Sequence, residues 1–169
     1  MRSYRISLFT IVLAFTLSGL AVAQEAAPEL PSAEISDMSG KIVNTTNIAH
    51  PDANLLILTW ETGTPGSLLC LDAISMLKDS IAKATRTKVV MINFDPAADL
   101  NKVKATAKEH QWTFEGYVDP KQDFKNAAAI SFLPVVLIVD RNNKIVYRKA
   151  AFYLGDEQTV MSELKKLSR

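Results

Sequence analysis

Hydrophobic and polar positions divide the chain into blocks with two kinds of periodicity. "NLLILTW" (Asn54–Trp60) and "TKVVMINF" (Thr87–Phe94) are almost continuously apolar, as strands covered on both faces are. Between them the spacing changes. From Ser67 onward, Leu71, Ile74, Leu77 and Ile81 recur at helical spacing, with Asp72, Lys78, Asp79 and Lys83 interleaved. That pattern predicts an amphipathic helix to about Ala84. Strand, helix and strand in this order make a βαβ unit with parallel strands and a right-handed crossover.

On either side the signals are shorter. "AEISDMSGKIVNTTNI" has β-like runs broken at Ser39-Gly40, which predicts a hairpin. Asp99 is placed to cap a helix running to about His110. "TFEGYVD" predicts a short strand, and "PKQDFKNAAAI" a helix that stops before Pro134. "PVVLIVD" and "KIVYRKA" flank "RNN", a second hairpin with asparagine at the turn. "GDEQTVMSELKKL" is an amphipathic helix, acidic at its start and basic at its end, as the helix dipole favours. A βαβ half, a linking helix and a ββα half predict a three-layer α/β domain around a central mixed sheet.

Composition adds a location. "MRSYR", the apolar run "ISLFTIVLAFTLSGL" and "AVA" before Gln24 have the order of a secretory signal peptide, residues 1–23. The rival is an uncleaved anchor, the one case in which the chain would meet a membrane. Residues 24–32, rich in Ala, Pro and Glu, read as a short flexible leader, and residues 33–169 as the domain. Loss of Arg2 and Arg5 with the signal leaves 17 Lys and Arg against 18 Asp and Glu. Charges of both signs are mixed along the chain, so nothing points to nucleic acid. A secreted chain can keep disulfides, yet Cys70 is the single cysteine and none can form internally.

With these elements in place, the sequence resembles the secreted TlpA-type thiol–disulfide oxidoreductases of the thioredoxin fold. The resemblance runs from about Ala33 to Leu167. It is carried by the apolar strand ending in Trp60, by "EGYVDPKQDFKNAAAISFLP", by "SFLPVVLIVD" and by "RNNKIVYRKAAFYLGDE". It implies a thioredoxin-like fold with a central mixed β-sheet, helices on both faces and an N-terminal β-hairpin extension. It also implies a cis Leu133–Pro134 bond whose edge receives extended peptide. The departure lies after Trp60, where the family carries Trp-x-x-x-Cys-x-x-Cys. Here the cysteine positions fall on Thr64 and Ser67, with Pro65 and Gly66 between them.

Thiol–disulfide exchange needs a thiolate, and neither alcohol supplies one. Thr64 and Ser67 read first as helix caps, with Pro and Gly fitting the turn. The sharper alternative is a small anion or carbonyl site on free N–H groups at the helix start. Cys70 reads as a small apolar core residue beside Leu68, Leu69 and Leu71, with a reactive thiol as the alternative. Trp60 is read equally as groove wall or strand-end core, and Glu61 as a solvated loop residue or a tuned proton carrier. His50 and His110 lack companions at ligand spacing, so no metal and no cofactor are expected. Met38, Met76, Met91 and Met161 read as filling, and Lys102, Lys104 and Lys108 as a solvated helix face.

Two functions are therefore expected, the first from what the resemblance implies about the groove and the second from the residues. The first is a redox-inert envelope protein that binds an extended peptide or partner protein. Its groove would be made of Trp60, Glu61, Gly63, Thr64, Pro65, Gly66, Ser67, Leu133 and Pro134. The second is a thiol-disulfide oxidoreductase or thiol peroxidase-like enzyme using Cys70 alone.

Overall fold

The computed structural model describes residues 27–49, 52–95 and 100–168. Residues 1–26, which include the expected signal peptide, and His50 and Asp99 lie outside the described residues. The elements are β1 (Glu34–Asp37), β2 (Ile42–Asn44), β3 (Asn54–Trp60), α1 (Pro65–Thr85), β4 (Thr87–Asn93) and α2 (Leu100–Glu109). There follow β5 (Glu115–Val118), α3 (Asp123–Ala127), β6 (Val135–Val139), β7 (Ile145–Ala150) and α4 (Asp156–Lys166).

One mixed sheet of seven strands, in the order β2-β1-β5-β4-β3-β6-β7, carries all of them. β3, β4 and β5 run parallel, and the remaining pairs are antiparallel. The N-terminal hairpin docks on β5, and the C-terminal hairpin completes the other side of the sheet through β6.

β3 shows why its sequence reads as an unbroken apolar run. Leu56, Leu58 and Trp60 pack with α1, α2 and α4 on one face, and Leu55 and Ile57 pack with Phe124 of α3 on the other. Side chains alternate between faces in a strand, so both parities must be apolar when both faces are covered. The face toward α1 collects Cys70, Leu71, Ile74 and Ile81 from that helix, with Val160 and Leu164 from α4.

Three expectations are corrected. α1 begins at Pro65, earlier than the periodicity implies, because proline needs no N–H partner in a first helical turn. α3 is only five residues long, a helical turn within a mostly irregular connection. The supposed leader is packed from Pro28 onward. The Ile145 N–H donates to the Pro28 carbonyl at 2.8 Å, and the Leu30 N–H donates to the Asn143 carbonyl at 2.8 Å. The Lys144 ammonium meets the Glu29 carboxylate at 2.6 Å, and Leu30 is buried. This segment covers the start of the otherwise open β7 edge, a role that composition does not register.

Candidate functional site

The carboxyl ends of β3 and β4, the start of α1 and the turn before β6 meet at one pole of the sheet. The loop after Trp60 is tied down there. The Phe94 N–H donates to the Trp60 carbonyl at 2.9 Å. The Thr62 N–H donates to the Asp95 carboxylate at 3.1 Å, and that carboxylate also accepts the Asn93 side-chain amide at 2.9 Å. The Glu61 carboxylate pairs with the Lys125 ammonium at 3.0 Å. Lys125 also lies 5.7 Å from the centre of the Phe94 ring, within cation–π range.

Thr64 precedes α1 in extended conformation, but its hydroxyl makes no capping hydrogen bond. Its carbonyl instead accepts the Ser67 N–H at 2.9 Å and the Leu68 N–H at 3.3 Å. Pro65 has no N–H, so Gly66 holds the one uncommitted donor of the first turn. A single N–H is not an anion cradle, and the anion reading loses its support. Gly66 faces Pro134 closely enough that a Cβ there would lie 3.5 Å from the Pro134 Cδ. Leu133–Pro134 is a cis peptide.

Several expected groove residues are not on the surface. Trp60 is fully buried, edge-on to Trp112 with ring centres 5.2 Å apart, and its indole N–H has no partner among the described residues. It is a core residue, placed on the α1 face by strand alternation. Ser67 is also fully buried, with its hydroxyl unpartnered, because the third residue of α1 turns toward the sheet. Glu61 is half-buried and committed to Lys125, neither solvated nor free. Gly63 and Pro65 are exposed, and Thr64, Gly66 and Leu133 are half-buried, but Pro134 is buried beneath them and is no surface residue, because its ring packs toward the start of α1 at Gly66.

From Pro134 onward the edge backbone is paired. The Pro134 carbonyl accepts the Ala151 N–H at 3.0 Å, and the Val135 N–H donates to the Thr59 hydroxyl at 2.8 Å. Leu133 has neither its N–H nor its C=O paired among the described residues. Phe132 beside it is 78% exposed. Sequence reasoning passed over Phe132, Tyr153 and Leu154, all exposed large apolar residues. Nothing in their spacing marks them, since they sit in turns rather than in periodic elements.

The sulfur near this pole is closed off from solvent. Cys70 is fully buried, and burial, followed by the Asp156 carboxylate, pushes its thiol well above the ordinary value of 9.0. Neither Thr64 nor Ser67 has a base hydrogen-bonded to its hydroxyl. Among the described residues, no group of three or more His, Cys, Asp and Glu is placed to hold a metal ion. No described helix is long and apolar enough to cross a membrane.

A second arrangement was not foreseen. Asp72, on α1, accepts the Trp112 indole N–H at 2.8 Å and meets the His110 Nδ1 at 2.9 Å. The His110 ring stacks on Trp112 with centres 4.7 Å apart. His110, which follows the end of α2, is thus held by a contact to a different helix.

A mixed sheet with helices on both faces and a helix start packed against a cis proline defines the thioredoxin-like class. The chain belongs to the AhpC/TSA family, whose model matches residues 25–148. The structure is similar to an uncharacterized thioredoxin-like protein from Porphyromonas gingivalis. The two share 28% identity with a TM-score of 0.73, over 82% of this chain and 91% of that one. It also resembles a thiol-disulfide oxidoreductase from Bacteroides fragilis at 17% identity and TM-score 0.69, over 83% of this chain and 99% of that one. StoA from Bacillus subtilis matches at 14% identity and TM-score 0.63, over 79% of this chain and 97% of that one. The last two likenesses concern the fold alone. No curated protein matches the sequence significantly.

Proposed function

We propose that this chain is a TlpA-type member of the family in which Thr64 and Ser67 occupy the positions of the two redox cysteines. It works in the cell envelope, to which residues 1–23 direct it, by binding an extended peptide or partner protein and not by exchanging disulfides. The observation that carries this reading is the open N–H and C=O of Leu133, beside Pro134 and the exposed Phe132. An extended segment pairs with such an edge through main-chain hydrogen bonds, which need no sulfur. The binding surface is Gly63, Thr64, Pro65, Gly66 and Leu133, with Phe132 added and with Trp60, Ser67 and the buried Pro134 supporting it from beneath. No observation favours Cys70 as a nucleophile, since a buried thiol held protonated neither reaches a substrate nor attacks one.

The test is an NMR titration of isotope-labelled protein with extended apolar peptides. Saturable shifts at the amides of Phe132, Leu133, Val135 and Gly66 are expected. Their absence at millimolar peptide, or insulin disulfide reduction above the blank with dithiothreitol as electron source, overturns the reading.

A further inference from the structure

A groove of about 310 Å³ lies between α1 and the segment joining β7 to α4. Leu69, Met76, Leu77 and Leu154 form its apolar walls, and Asp72 and Glu157 stand on its rim. Met76 is 86% exposed and Leu154 77% exposed. An amphipathic helix ordinarily turns polar side chains outward, and α1 already buries Cys70, Leu71, Ile74 and Ile81 in the core. Beside Leu77, which packs partly on that core, it carries a second, outward apolar strip of half-buried Leu69 and exposed Met76 that the fold does not cover.

The rim decides what fits. No basic residue lines the groove. The Asp72 carboxylate is held in place by the Trp112 indole and His110, and the Glu157 carboxylate by the Gly155 N–H at 2.8 Å. Among the described residues, neither acid has a lysine or arginine partner. Two fixed acceptors over an apolar floor attract cations on an apolar scaffold. An anionic lipid surface would be repelled. A second copy meeting the same face across a two-fold axis would bring carboxylate to carboxylate.

We propose that this groove docks a segment of a partner protein whose apolar side chains are flanked by lysine or arginine. The groove shares no lining residue with the Leu133–Pro134 edge, and the proposal does not depend on that edge binding anything.

The probe is a synthetic leucine/lysine peptide, titrated into labelled protein beside leucine/glutamate and serine/lysine peptides. The leucine/lysine peptide is expected to shift the amides of Leu69–Leu77 and Leu154–Gln158 saturably. The other two should bind at least about tenfold more weakly. Met76→Glu and Glu157→Lys, both at surface positions that leave the core intact, should each weaken binding by about tenfold. Equal binding of the leucine/glutamate or serine/lysine peptide overturns the proposal, as does the absence of saturable shifts at these amides. A protein dimer or vesicle binding that is lost in Met76→Glu also overturns it. The amides read here differ from those at Phe132–Val135, so failure at one surface is distinguishable from failure at the other.

Discussion

The Thr59 hydroxyl closes the end of the β3–β6 ladder on Val135, donating to its carbonyl at 2.9 Å and accepting its N–H at 2.8 Å. Both residues are buried, so the side chain supplies what water cannot. Thr59→Val keeps the shape and removes both bonds. It should cost about 2–3 kcal/mol in urea unfolding, because two backbone groups are left buried and unpaired. A loss below about 0.5 kcal/mol would mean that Val135 finds other partners.

Cys70 supplies a prediction in the alkaline range. Its folded thiol is held above the ordinary 9.0 by burial, so the folded state keeps its proton where the unfolded chain loses it. The stability this group contributes is complete below the unfolded value and is lost as pH rises beyond it. Wild type should lose about 1.4 kcal/mol per pH unit more than Cys70→Ala above that point. Parallel stability curves for the two proteins would show that the thiol ionises in the folded state. A thiol reagent should correspondingly label Cys70 only after denaturation.

Restoring sulfur tests the assignment of the loop. Thr64→Cys with Ser67→Cys should give a disulfide that dithiothreitol reduces, read as the number of free thiols with and without reductant. If the double variant folds yet forms no such bond, Thr64 and Ser67 do not stand where the family's cysteines stand.

The Asp72–Trp112 contact should be visible in stability and in fluorescence. Asp72→Leu leaves a mostly buried indole N–H without its acceptor and should cost about 1–2 kcal/mol, with a changed tryptophan emission. Asp72→Asn keeps an oxygen at that place and should cost less. Equal losses would assign the effect to charge and not to the hydrogen bond.

Much of the fold was legible in the sequence because it rests on periodicity. The doubled apolar parity of Asn54–Trp60 and Thr87–Phe94 marks strands covered on both faces. Ser39-Gly40 and "RNN" mark the two hairpins. The candidate site was legible only in part. Gly63 and Pro65 are exposed as a groove rim requires, but Trp60, Ser67 and Pro134 are buried, since their burial depends on which side of a strand, helix or turn faces the sheet. The packing of Pro28–Leu30 on β7 was illegible for a similar reason. A segment that composition marks as exposed becomes ordered when it meets an open strand edge distant in sequence.

The sequence by itself determined the order of strands and helices and the absence of paired sulfur, because backbone propensity and residue identity are local properties. Only the tertiary structure decided that Cys70 is sealed in the core, that Leu133 keeps its backbone open, and that α1 presents a second apolar strip between Asp72 and Glu157. Burial and charge neighbourhood arise from elements far apart in the chain, and no local pattern encodes which of them will meet.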